Sequence, residues 1–134
     1  MRILICGLPG AGKTTLAKQM AERLDADHFE ADVLRATEDD WDFSAEGRMR
    51  QAIRMRTLAE ASDKEHQICD FVCPTEELRS ILAPHYTIFM DTVDESEYAD
   101  TNALFDKPRN ADLIIRRKGA EALDWALVSL RLKG

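Results

Sequence analysis

Apolar residues in this chain fall in short bursts separated by longer stretches with helical spacing. Ile3-Leu4-Ile5-Cys6 runs straight into Gly7, so Arg2–Cys6 reads as a buried strand stopped by a turn. From Lys13 to Leu24 the apolar positions are Leu16, Ala17, Met20, Ala21 and Leu24, one face of a helix. Asp25–Asp42 has few apolar residues and is predicted to be mostly loop, with a short strand near Phe29. Ser44 is a suitable N-cap for a helix that Met49, Ala52, Ile53 and Ala59 carry to about Ser62. Ile68–Val72 is a second apolar run, stopped by Pro74. Thr75 can cap a short helix reaching Leu82, before Pro84. Tyr86–Met90 is a third strand, and Asp91–Pro108 is polar and irregular. Leu113–Ile115 is a last strand, and Ala120–Leu132 a closing amphipathic helix with Trp125 expected in the core.

Strands alternating with helices predict an α/β fold, three layers α/β/α around a parallel sheet. No repeat or Gly/Ser linker divides residues 1–134, so one domain is expected. Ligands of such sheets sit at the carboxyl ends of the strands. That rule puts Gly7–Thr14, Asp70–Pro74 and Asp91 along a single edge.

Composition narrows the function. With 134 residues, 45% hydrophobic and 32% charged, the chain suits a soluble domain. No stretch approaches the ~20 apolar residues of a membrane span, and the opening run is too short for a signal peptide. Cys6, Cys69 and Cys73 are odd in number and lie in or beside strand-like runs, which predicts reduced thiols and a cytoplasmic setting. Cys69 and Cys73 lack a second pair of ligands, so zinc is not expected. A net charge of −7 disfavours a long nucleic acid as partner. Between Asp25 and Glu46 nine carboxylates face one arginine, Arg35. His28, His66 and His85 are scattered and receive no role.

The strongest chemical signal is Gly7-Leu8-Pro9-Gly10-Ala11-Gly12-Lys13-Thr14, a complete G-x-x-x-x-G-K-[ST] phosphate loop between strand and helix. Glycines let the backbone turn tightly and bring its N–H groups onto phosphate oxygens. The helix that follows aims its free N–H groups and positive dipole end at the same anion. Lys13 would reach the β- and γ-phosphates of ATP, and Thr14 would offer its hydroxyl to Mg²⁺. Thr15 completes the nucleotide set. No N/T-K-x-D guanine-reading motif is present, and the chain is short for a motor ATPase.

Beyond the loop the chain resembles the adenylylsulfate kinases, P-loop enzymes that use ATP and Mg²⁺ to phosphorylate the 3′-hydroxyl of adenylyl sulfate. Glu30-Ala31-Asp32-Val33-Leu34-Arg35 is similar to the family's Asp-Gly-Asp-x-x-Arg. Phe43-Ser44-x-x-x-Arg48-x-x-Gln51 is similar to Phe-Ser-x-x-Asp-Arg-x-x-Asn, and Phe71-Val72-Cys73-Pro74 stands where the family has Phe-Ile-Ser-Pro. The resemblance implies that Asp32 contacts the acceptor hydroxyl and the metal region. It gives Arg35 and Arg48 the acceptor's phosphosulfate, Phe43 its adenine, and Gln51 the place of an Asn that hydrogen-bonds there. Val72, Cys73 and Pro74 join that set, and homodimers are common in the family. Asp70, at the end of its strand, can bind Mg²⁺ through water or cap a turn.

Several positions depart from the pattern. Gly47 replaces an Asp, and Glu30-Ala31 replaces Asp-Gly. The family's long basic lid is reduced to about Asp94–Arg109, with Lys107 and Arg109 its only cations. Phe105 is expected to close against a base. A nucleoside, a sugar or a polynucleotide 5′-end are alternative acceptors. A nucleotide-binding protein with little turnover is a third reading.

Overall fold

A computed structural model describes residues 1–133. Eleven elements follow in the order β1 (Arg2–Cys6), α1 (Lys13–Leu24), β2 (Asp27–Glu30), α2 (Ala31–Glu38), α3 (Ala45–Ala61), β3 (Gln67–Asp70), α4 (Glu76–Leu82), β4 (Tyr86–Met90), α5 (Ala99–Leu104), β5 (Leu113–Ile115) and α6 (Glu121–Lys133). The five strands form one sheet in the order β2-β3-β1-β4-β5, every neighbouring pair parallel.

The period of two along β1 splits the core into two layers. Ile3 and Ile5 face α1 and α6, packing with Leu16, Met20, Ala122, Ala126 and Leu130. Leu4 and Cys6 face the opposite way, onto Ala52, Met55, Leu78 and Leu82 of α3 and α4. β1 is buried at every residue, as expected of a central strand covered on both faces. Burying each large side chain here stabilises the fold by about 1.5–3 kcal/mol. With neighbours β3 and β4 hydrogen-bonded on either side, the end of β1 is fixed in place, and so is the loop that leaves it.

Two helices occupy segments where loop was expected. Helix α2 escapes a hydrophobicity reading because an arginine fills its inward position. Arg35 is 2% exposed, and its guanidinium Nη1 donates to the carbonyls of Asp40 and Asp42 at 3.0 and 3.1 Å. The helix stops at Asp39, which is left-handed (φ 49°), and Asp40 N–H returns to Arg35 O at 2.9 Å. Helix α5 buries no residue and so leaves no apolar stripe. Asn102 holds it instead, its Oδ1 accepting from the backbone and hydroxyl of Ser96 while its Nδ2 donates to Ser96 O.

The capped helices form as read. Ser44 Oγ accepts from Gly47 N–H at 3.2 Å, and Thr75 Oγ1 from Leu78 N–H at 3.3 Å. β3 ends at Asp70, two residues short of Val72, although Phe71 N–H still donates to Ile5 O. Cys73 then turns the chain through a left-handed conformation (φ 46°). Trp125 lies on the rim of α6, 38% exposed, with the Arg117 guanidinium 5.8 Å from its ring centroid. No described helix is long and apolar enough to cross a membrane.

Candidate nucleotide and acceptor site

The loop from Gly7 to Lys13 leaves the end of β1 and opens α1. Gly7 has φ +152°, and a Cβ there would lie 2.7 Å from Met90 O, so a side chain would collide with the end of β4. Gly10 and Gly12 are left-handed, at φ +86° and +96°. Ala11 N–H donates to Leu8 O at 3.1 Å, and Thr92 Oγ1 braces the loop through Ala11 O at 2.7 Å. Leu8 is buried, whereas Gly10 and Thr15 are exposed. The result is a concave run of backbone N–H groups on the first turn of a 12-residue helix, a preformed anion cradle.

Lys13 curls back over this loop, its Nζ donating to Leu8 O at 3.0 Å. It is 9% exposed, and burial pulls its pKa below the ordinary 10.5, opposed first by the carboxylate of Asp70. Beside it, Thr14 Oγ1 donates to Asp70 Oδ2 at 2.6 Å. His28 Nε2, from β2, lies 3.3 Å from the same oxygen. His28 carried no motif in the sequence; the parallel pairing of β2 with β3 brings it to Asp70, and only the sheet order could have revealed it.

Thr14, Asp70 and Asp32 offer hard oxygens, but no described group of three or more His, Cys, Asp or Glu could hold a metal unaided. That combination suits Mg²⁺, which keeps several waters and takes the rest of its shell from substrate phosphates and one or two carboxylates. The thiols have a different character. Burial pushes Cys6 and Cys69 up to about 12, and Cys73 well above its ordinary value, so none is a ready nucleophile.

Across the cleft, Asp32 is exposed in the first turn of α2. Its carboxylate is among the charges that oppose the depression of the Lys13 pKa, after those of Asp70 and Cys6. Phe43 is 52% exposed and lies between two guanidinium groups, Arg35 at 4.1 Å and Arg48 at 5.7 Å from the ring centroid. Arg48 Nε donates to Phe43 O at 2.9 Å, which leaves its terminal nitrogens for a ligand. The other arginines of α3 are engaged: Arg50 and Arg54 both pair with Asp40, and Arg56 with Glu60.

Three sequence expectations need correction. Gln51 is 0% exposed; its Nε2 donates to Ala31 O and its Oε1 accepts from Arg54, so it secures the start of α2 and presents nothing to the cleft. Phe105 stacks on Phe89 of the core at 5.8 Å, with Arg79 on its ring, so its faces are taken by protein groups. Cys73 is fully buried. Its carbonyl accepts from Arg79 Nε at 3.1 Å, and Pro74 O accepts from Asp106 N–H at 2.7 Å. The Val72–Pro74 turn therefore anchors the shortened lid. The lid's own Lys107 is drawn to Asp91, 3.4 Å away.

A family model described as an AAA domain matches residues 3–52, from β1 into α3. The APS kinase of Mycobacterium tuberculosis, solved with AMPPNP and APS, superimposes with a TM-score of 0.84 over 97% of this chain and 96% of that one, at 18% identity. Shikimate kinase from Aquifex aeolicus superimposes at 0.74 over 99% and 98%, at 16% identity. The fold is that of the P-loop kinases. In sequence, a probable adenylyl-sulfate kinase of Aeropyrum pernix is 31% identical over 91 residues, 60% of this chain and 48% of that protein. The chain thus spans about half the length of the curated relative it matches. The motif resemblance to the adenylylsulfate kinases agrees with these likenesses in sequence and in fold.

Proposed function

We propose that this chain is an ATP- and Mg²⁺-dependent phosphotransferase for a small-molecule hydroxyl, with the 3′-hydroxyl of adenylyl sulfate, giving PAPS, as its first acceptor. The observation that carries the reading is the phosphate loop itself: left-handed glycines at the start of α1 with Lys13 folded over them and Thr14 on Asp70. In this reading, Gly7–Thr15 bind the ATP phosphates, and Lys13 exchanges Leu8 O for phosphate oxygens. Thr14, Asp70 and Asp32 hold Mg²⁺, which supplies charge neutralisation on the phosphates. Asp32 accepts the proton of the attacking hydroxyl. Arg48 and Arg35, with Phe43 between them, orient the acceptor. The adenylyl-sulfate kinase relatives support this choice of acceptor.

A second acceptor class is favoured by the charge of the lid. Residues 94–109 carry five carboxylates and two cations, and Asp100 acts electrostatically on Arg48. Such a lid suits an uncharged sugar or nucleoside better than a sulfated anion. One experiment separates the readings: purified protein with ATP and Mg²⁺ is offered adenylyl sulfate, nucleosides, sugars and a 5′-hydroxyl oligonucleotide. ADP release with adenylyl sulfate alone supports the first acceptor. Release with another compound moves the assignment to that class. Tight ATP binding without release from any acceptor makes the protein a nucleotide binder instead.

A further inference from the structure

Arg116, Arg117 and Lys118 form three consecutive cations between β5 and α6, all exposed. As a short charge run they carry no motif. The fold gives them a location. β5 is the edge strand beside β4, with Ile115 in register with Met90 and Asp91 N–H bonded to Ile115 O at 2.8 Å. Met90 O is the atom that Gly7 approaches so closely. The segment after Ile115 therefore leaves the sheet at the edge occupied by the phosphate loop.

Of the three, Lys118 comes closest to that loop. A Cβ built on Gly12 would lie 3.7 Å from Lys118 Cγ and 3.9 Å from its Cδ. Its aliphatic stem thus runs across the Gly12 turn, next to the N-terminus of α1. Arg117 is turned the other way, onto Trp125. Lys107 is engaged with Asp91. Among the described residues no ion pair holds the Lys118 ammonium, so its charge is free to meet an anion beside the Gly12 turn.

We infer that Lys118 is a nucleotide-binding residue, a second cation on the polyphosphate supplied from the β5–α6 segment. It adds to Lys13 positive charge that the acidic lid does not carry. The inference rests on the nucleotide-binding reading above and adds a residue to it. A bare glycine at position 12 is part of the arrangement, since it lets the lysine stem lie close to the loop.

The test is calorimetry with ADP, AMP and adenosine, each with Mg²⁺, on the wild type, Lys118→Met, Lys118→Arg and a remote control, Lys64→Met. Lys118→Met is expected to weaken ADP about tenfold and adenosine not at all, while Lys118→Arg retains most of the affinity. Comparing ADP with AMP identifies the phosphate engaged. Matching thermal melts for all variants exclude a folding defect. If the wild type binds ADP and Lys118→Met binds it equally well, this inference is overturned and the P-loop reading stands. A wild type without affinity for ADP removes both.

Discussion

The two halves of the cleft are built on different physical terms. On the phosphate side, the end of a fully buried central strand, a helix N-terminus and three left-handed glycines fix the backbone. Its groups are close in sequence, and Leu8, Ala11 and Lys13 among them are buried. On the acceptor side, residues 39–48 and 91–110 are mostly exposed and held by polar contacts: Arg35 on two carbonyls, Asp40 between Arg50 and Arg54, Ser96 on Asn102. The contrast separates a rigid part of the molecule from one that can be rebuilt. Burial makes the cradle stiff and intolerant, while exposed ion pairs and short helices can be rebuilt around a new substrate at little cost in stability.

This comparison breaks most visibly at Lys13. Lys13→Met is expected to lower turnover by about 10³-fold or more in a steady-state assay. The same change should raise the melting temperature of the ligand-free protein, by roughly 1 kcal/mol of stability. Because burial lowers the Lys13 pKa, the native state holds this proton less tightly than the unfolded chain does. The cost is fully in force below the folded pKa, is relieved as pH rises through it, and is gone above the ordinary 10.5. The stability gap between variant and wild type should therefore shrink in alkaline buffer. A variant less stable than the wild type at pH 7 would show that the ammonium is better solvated than its surroundings indicate.

A smaller effect is expected across the cleft. Asp32→Asn should reduce kcat about 10²-fold while leaving ADP affinity, measured by calorimetry without Mg²⁺, within about twofold. An unchanged kcat would remove Asp32 from the chemistry.

The smallest effect tests how far the acceptor side is separable from the cradle. At Gly47 of α3 a Cβ would lie 2.1 Å from Asp42 O and 2.6 Å from Asp42 Cγ. Gly47→Ala must displace the Asp42–Ser44 turn that carries Phe43. It should cost about 1–3 kcal/mol in a denaturant melt and raise the acceptor KM several-fold, with ADP affinity unchanged. Equal losses on both ligands would mean that the two sides move as one body.

The legibility of the chain follows the same division. β1, α1, α3, α4, β4 and β5 were readable because apolar spacing, capping residues and prolines mark them locally. The phosphate loop was readable because its chemistry needs contiguous residues. Helix α2 was not, since Arg35 occupies its inward face and breaks the apolar period. Gln51 read as a ligand-binding side chain because it stands in a motif, yet it is buried against Ala31 and Arg54. Phe105 was read as a lid aromatic, although Phe89 claims it through a contact between distant segments.

Local residues alone specify the strand–loop–helix of the phosphate-loop motif, because backbone conformation there depends on glycines and a lysine within eight successive residues. Which remote groups reach that loop depends on how the strands are ordered in space. His28 arrives through the pairing of β2 with β3, and Lys118 through the placement of β5 beside β4. Strand order is set by the packing of two core layers over the whole chain, and no local stretch of residues encodes it.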